Sequence, residues 1–254
     1  MKLIDSHTHL YVEEFQGDIS EVIERAINEK VERFYLPAID SEQTAAMYAL
    51  EEKYPGHIFL MAGLHPCSVK ENYQEELEKI SKQLSERKFA ALGESGLDFY
   101  WDATFTTQQY ESLHQHARWA IEYNLPLVLH TRNAMQETIE VIAKYRDQNL
   151  RGIFHCFSGN TENAKEIIDL GFLLGIGGVV TFKNSGLDKV VKEIPLEYMV
   201  LETDAPYLAP VPFRGKRNES SYLKYIVAKM AEIKQATLEE VARVTTLNAE
   251  KLFS

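Results

Sequence analysis

One pattern runs the length of this chain: a short, continuous apolar run, then an amphipathic stretch of helical period, again and again. The apolar runs fall at 2–9, 31–36, 58–63, 89–94, 127–130, 152–155, 172–177 and 198–202. Between and after them, helical stretches are expected over 19–30, 42–54, 74–87, 107–123, 134–145, 161–170, 187–193, 220–234 and 238–252. The helical assignments rest on spacing. In 107–123 the apolar residues Tyr110, Leu113, Ala117, Ala120 and Ile121 recur at three and four residues, one stripe of a helix. Asn160, followed by Thr161, Glu162 and Asn163, carries cap chemistry for a helix start. The apolar runs are branched or aromatic and do not alternate with polar residues, as strands buried on both faces should be.

Eight such units in 254 residues predict an α/β chain folded as a (β/α)8 TIM barrel. No low-complexity segment or linker divides it, so residues 1–254 are expected to form a single domain. The rival, an open doubly wound sheet, lacks its mark here, because no Gly-x-Gly-x-x-Gly turn follows the first strand.

A barrel gathers its reacting side chains at the carboxyl ends of its strands. His7 and His9 close the first run, and residues two apart on an extended strand point the same way. Glu94 closes the fourth run, His130 the fifth and His155 the sixth, and Asp204 lies just past the eighth. Any one of these alone reads as a hydrogen-bonded histidine or a solvated carboxylate. Together they predict a metal centre. An open catalytic site commonly uses three protein ligands, so six suit two ions about 3.5–4 Å apart sharing one carboxylate. Glu94, in the middle of the ligand order, is the natural bridge. Four histidines and two carboxylates suit Zn²⁺ or Mn²⁺, and Mg²⁺ less well on softness alone.

Other histidines fall outside this set. His114 and His116 form a second His-x-His, but inside a helical stretch, where such side chains diverge by about 200°. They are read as helix-surface or core-edge residues. His57, at the start of a strand, sits at the wrong end of the barrel.

Charge bears on substrate and location. Lys and Arg number 27 against 38 Asp and Glu, a net charge of −11, which argues against a basic surface that coats duplex nucleic acid. A nucleic-acid substrate then needs a local basic rim. His65 and Arg132 follow barrel strands, and Arg214, Lys216 and Arg217 form a basic run after the last one. Of that run Arg217 is the expected substrate contact, with His65 and Arg132. Phe99, Tyr100 and Trp101 offer faces for base stacking. The two cysteines, Cys67 and Cys156, have no paired spacing and read as free thiols of a reducing compartment. No secretory signal opens the chain, and the longest apolar run, 171–182, is too short to span a bilayer. A cytoplasmic protein without membrane contact or an obligatory protein partner is expected.

Five blocks give the chain a family likeness: Asp5-Ser6-His7-Thr8-His9, Gly63-Leu64-His65-Pro66, Gly93-Glu94-Ser95-Gly96-Leu97-Asp98, Glu202-Thr203-Asp204-Ala205-Pro206-Tyr207-Leu208 and Arg214-Gly215-Lys216-Arg217-Asn218-Glu219. In order and spacing they resemble the TatD family of metal-dependent deoxyribonucleases, over essentially the whole chain. The resemblance implies a TIM barrel of the amidohydrolase superfamily that hydrolyses phosphodiester bonds of DNA, often from 3′ to 5′. It also implies that His7, His9, Glu94 and Asp204 hold one ion, and Glu94, His130 and His155 the other. Two positions depart from the family pattern: Asn133, where an acidic residue is common, and Ser220, where proline is common. Both bear on substrate contact only.

The chemistry of the residues agrees with the likeness. A water shared by two cations is acidified towards neutral pH, and Asp204 at the mouth is placed to take or orient its proton. Glu94 and Asp204 are therefore the expected catalytic carboxylates, with DNA, or else RNA, as substrate. The alternatives are an ester, amide or lactone hydrolase of the same superfamily, an aminoacyl-tRNA esterase, and a non-catalytic metal-stabilised scaffold. Dihydroorotase-like and lactonase-like sites often bridge their ions with a carboxylated lysine. Here a glutamate stands at that step, and no lysine ends a strand near it.

Overall fold

The structure, a computed structural model, describes residues 2–254. Its strands are β1 (Leu3–Asp5), β2 (Val31–Leu36), β3 (Ile58–Ala62), β4 (Ala91–Asp98), β5 (Leu127–Arg132), β6 (Gly152–Phe154), β7 (Phe172–Ile176) and β8 (Met199–Leu201). Each lies parallel to the next, in the order β1 to β8. The helices are α1 (Ile19–Asn28), α2 (Thr44–Lys53), α3 (Tyr73–Glu86), α4 (Thr106–Glu122), α5 (Met135–Ala143), α6 (Thr161–Asp169), α7 (Leu187–Glu193), α8 (Leu223–Lys234) and α9 (Leu238–Leu252). This is the expected (β/α)8 barrel. The seam between β8 and β1 is made by a few bonds. The Ser6 N–H donates to the Leu201 carbonyl at 3.0 Å, and the buried Asp5 carboxylate accepts from the Thr203 N–H and hydroxyl.

The strands bury both faces, and two cores result. Ile4, Tyr35, Met61, Ala91, Val128, Ile153 and Val200 share one cluster, one side chain from each of seven strands, filling the barrel interior. Leu252 joins this cluster, and Phe253 stacks on Tyr35 at 3.8 Å, so the end of α9 packs into the inner core. The other strand faces pack on the helices in a larger core, which takes Val22, Ile23 and Ala26 of α1 and Leu113, Ala117 and Ala120 of α4. The cap chemistry at Asn160 is present: its side chain accepts from the Asn163 N–H in a reciprocal capping box.

Several strand ends differ from expectation. β1 stops at Asp5, so His7 and His9 lie beyond it rather than on it. β4 and β5 run past Glu94 and His130, ending at Asp98 and Arg132. Loop residues that bond to neighbouring strands read like strand in a sequence, and strand tips that turn polar at a site do not. Among the described residues no helix is long and apolar enough to cross a membrane.

His116 also differs from expectation. It is fully buried, not at the helix surface. Its Nε2 accepts the Leu64 N–H at 3.1 Å and its Nδ1 faces the Ser112 carbonyl at 2.8 Å. It ties α4 to the segment after β3.

Candidate metal centre

Backbone bonds carry the ligand-type residues inward. Beyond β1 the Thr8 N–H donates to the Tyr35 carbonyl, the His9 N–H to the Ala205 carbonyl, and the Asp204 N–H to the His7 carbonyl. The 6–9 segment is thereby held between β2 and the loop that bears Asp204. In β4 the pairing with β5 slips between Leu92 and Ser95. There the Gly93 carbonyl and Glu94 N–H bond instead to Ala38. Such a bulge re-aims a side chain, and Glu94 points into the mouth, 2% exposed. Gly63 permits the close approach, since a Cβ there would lie 2.5 Å from the Gly93 carbonyl carbon.

Glu94 is the hub. Its Oε2 lies 3.1 Å from His7 Nε2 and 3.6 Å from His9 Nε2. Its Oε1 lies 2.8 Å from both His130 Nδ1 and His155 Nε2, and 3.3 Å from His65 Nε2. Asp204 Oδ1 stands 3.4 Å from His9 Nε2 and 3.7 Å from His7 Nε2. His7 and His155 stack at 3.8 Å. Three groups of possible ligand atoms therefore fall close together: His7, His9 and Glu94; His7, His155 and Asp204; and His65, Glu94 and His130.

Hydrogen bonds on the far side of the rings set the tautomers of His9 and His65. The Tyr11 hydroxyl donates to the Pro37 carbonyl at 2.6 Å, so at 2.9 Å it accepts from His9 Nδ1. That leaves a lone pair on His9 Nε2, facing the carboxylates. His65 Nδ1 accepts the Cys67 N–H at 3.0 Å, so a neutral His65 holds its proton on Nε2 and is a donor to Glu94 rather than a ligand. The Glu202 carboxylate, fully buried, accepts the Cys156 N–H and stands 3.6 Å behind His155 Nδ1. Asp98 stands behind His130, its Oδ2 2.9 Å from Nε2. His7 is fully buried, with neither ring nitrogen in a hydrogen bond.

The donor set fits divalent cations. Buried polar nitrogens without partners are rare, and a lone pair aimed at a carboxylate oxygen wants a positive charge between them. Charge responds accordingly. Burial pushes the Glu94 carboxyl up, but the His155, His65 and His7 imidazoles outweigh it and hold the group well below the usual carboxylate range. Burial lowers His155, yet Glu94 and Glu202 bring it well above the ordinary imidazole value. Burial raises Asp204, and the His9 contact with the nearby imidazoles brings it below its usual value. Imidazoles of the metal-free protein thus supply the positive charge that the carboxylates demand.

Above the cluster opens a cleft of about 980 Å³, lined among others by His65, Glu94, Asp204, Arg132, Arg214 and Lys216. The six expected ligands and His65 converge here. Arg132 stands at the rim, its guanidinium 4.2 Å over the Tyr100 ring and 5.1 Å from that of Trp101. Arg217 does not reach the cleft. It is held by Asp18 at 2.7 and 2.6 Å and by the Glu14 carbonyl, whereas Arg214 and Lys216 line the cleft. Phe99 packs against the large core, which leaves Tyr100 and Trp101 as the exposed aromatics, at 54% and 66%. Ser220, where proline is common in the family, is fully buried with its hydroxyl 3.5 Å from that of Thr8. Asp98, Glu202 and Tyr11 were not foreseen as site residues. Asp98 and Glu202 both fall within the family blocks, but nothing in the spacing ties either of them, or Tyr11, to a histidine.

Residues 4–254 match the family model described as TatD related DNase. The chain belongs to the TatD family. Among its TatD-type relatives, the metal-dependent hydrolase YabD of Bacillus subtilis is 41% identical over 252 residues, covering 99% of this chain and 98% of that protein. The metal-dependent hydrolase YcfH of Escherichia coli K12 is 34% identical over 257 residues, covering 100% and 96%. The crystal structure of YjjV, a TatD homologue from the same organism, superposes with a TM-score of 0.93 at 29% identity, covering 99% and 97%. This TatD-family chain is a metal-dependent hydrolase, with histidine and carboxylate clusters able to bind metal.

Proposed function

We propose that this protein is a nuclease that hydrolyses phosphodiester bonds of DNA from the 3′ end with two divalent cations, both of which Glu94 would help to hold. One observation carries the reading: the Glu94 oxygens are divided, Oε2 facing His7 and His9, and Oε1 facing His130 and His155. His7, His9, Asp204 and Glu94 would hold one ion, and His130, His155 and Glu94 the other, as Mg²⁺, Mn²⁺ or Zn²⁺. Bound there, such ions supply Lewis acidity to phosphoryl oxygens and acidify a water towards neutral pH.

The chain's own groups do the rest. Asp204, at the mouth, accepts the proton of the attacking water. His65, whose Nε2–H faces Glu94 Oε1 at the cleft, would turn that donor to a phosphoryl or leaving oxygen once cations take the Glu94 oxygens. Arg132, Arg214 and Lys216 bind the phosphates on either side, and Tyr100 and Trp101 offer ring faces to the bases. Support for a nucleic-acid substrate comes from these three cations at the cleft of a chain whose net charge is −11, and from the family's description. The free thiols Cys67 and Cys156 suit a reducing compartment, and we assign the protein to the cytoplasm.

The test is hydrolysis of an end-labelled single-stranded DNA oligomer by metal-stripped protein resupplied with Mg²⁺, Mn²⁺ or Zn²⁺, beside Glu94→Ala. A metal-dependent ladder that shortens from the 3′ end and is lost in the variant is expected. Bound metal without cleavage of DNA or RNA would overturn the reading in favour of a small ester or amide substrate.

A further inference from the structure

We propose that Asp98 is a positioning residue that sets the tautomer of His130, and with it the nitrogen offered to a cation beside Glu94 Oε1. The inference rests on the reading that His130 holds such a cation. Asp98 is 1% exposed and lies outside the six expected ligands. Its Oδ1 accepts the Tyr100 and Trp101 N–H groups at 2.9 and 3.0 Å. Its Oδ2 is 2.9 Å from His130 Nε2. A carboxylate can only accept hydrogen bonds, and each ring nitrogen of His130 faces one, but Glu94 Oε1 already faces the His65 and His155 Nε2 atoms at 3.3 and 2.8 Å, so the ring proton of a neutral His130 goes to Nε2 and Asp98. The lone pair is then on Nδ1, facing Glu94 Oε1 at 2.8 Å and His155 Nε2 at 3.4 Å.

Asp98 is itself held in place. Its N–H donates to the Gln109 side-chain oxygen at 2.9 Å, and its carbonyl accepts from the Gln109 amide nitrogen at 3.2 Å. Gln109 is buried in α4. The oxygen that does not face His130 anchors the turn bearing Tyr100 and Trp101, the rings on which Arg132 lies. One buried carboxylate therefore links an imidazole beside the metal centre to one wall of the mouth. Partners of this kind fix ring orientation and metal affinity in other metal sites.

Asp98→Asn separates this role from simple support of the turn. The amide oxygen can still accept from Tyr100 and Trp101, but its NH₂ must then face His130 Nε2. That contact requires a lone pair on Nε2 and moves the ring proton to Nδ1. Nitrogen-15 spectra of the histidines, recorded on metal-free protein at alkaline pH, report the tautomer directly. Titration with Mn²⁺ or Zn²⁺ by calorimetry reports the ions.

The expected result is Nε2–H on His130 in the unaltered protein and Nδ1–H in Asp98→Asn. One of two ions should bind the variant roughly 10- to 100-fold more weakly, the other unchanged. An Nδ1–H tautomer in the unaltered protein overturns the proposal, as does a variant that keeps both the tautomer and both affinities. If the unaltered protein takes up a single ion, the two-cation reading fails while the tautomer spectrum still judges Asp98. If the variant does not fold, the spectrum of the unaltered protein decides alone.

Discussion

Arg217 and Arg132 carry the same charge and have opposite prospects as substrate contacts. Arg217 meets both oxygens of Asp18 and lies 4.9 Å over the Phe15 ring, so its donors are engaged before any phosphate arrives. Arg132 rests on two aromatic faces and lines the cleft, with its fork of N–H donors available. Arg217→Ala should lower stability by at most about 1 kcal/mol, the scale of an exposed ion pair, and leave DNA binding unchanged. Arg132→Ala should weaken binding to DNA of any sequence and reduce the slope of log affinity against log salt by about one. Fluorescence anisotropy of a labelled oligomer between about 50 and about 200 mM salt separates the two. A full loss of binding in Arg217→Ala would show that the Asp18 pair opens for substrate. The reason the sequence pointed to Arg217 is physical. A basic run is visible in one dimension, whereas the carboxylate that neutralises one of its members lies 199 residues away.

Helices and strands were legible where a period wrote them. Burial on one face of α4 follows from residue spacing and that of the strands from their continuous apolar runs, and α7 and α9 begin and end where the pattern does. Six ligand-type residues were legible for a related reason, because barrel topology dictates where strand ends meet. What stayed hidden depends on contacts between elements: the Tyr11 hydroxyl tied to the Pro37 carbonyl behind His9, Glu202 behind His155, and His116 under Leu64. Two predictions belong here. Burial pushes the His116 imidazole from its ordinary 6.5 down to about 4. The unfolded chain therefore binds the extra proton between those values, and stability present above pH 6.5 is lost as pH falls towards about 4. The loss is on the order of 3 kcal/mol. Urea unfolding across that range should show a smaller loss for His116→Gln, and an equal loss would remove His116 as the cause. The second concerns β4 against β5. Gly96 has φ +146°, and a Cβ there would fall 2.0 Å from the His130 carbonyl oxygen. Gly96→Ala should cost at least about 2 kcal/mol in the same assay. A variant of unchanged stability would mean that the two strands can part at no cost.

Across the whole molecule, the floor and the mouth divide the work. The inner core and the end of α9 hold the barrel from within, while the mouth gathers buried carboxylates and imidazoles whose charges balance best with cations among them. Cations that bind only the folded chain stabilise it by mass action, about 2.7 kcal/mol at one hundred times the dissociation constant. Removal of metal by a chelator should therefore lower the melting temperature by on the order of 5–10 °C for a chain of this size, and Mn²⁺ or Zn²⁺ should restore it. An unchanged melting temperature would mean that the cluster holds no ion in the native state. A consequence follows from the partners behind the rings. Tyr11 bonds His9 from behind, and Asp98 does the same for His130, so these rings are oriented ahead of any ion. A receptor assembled in advance asks little rearrangement of its guest, and nitrogen and oxygen donors of this kind suit several first-row metals. The supply of each metal and the speed of ligand exchange then decide the occupant, and starvation for one metal need not silence the protein while another is at hand.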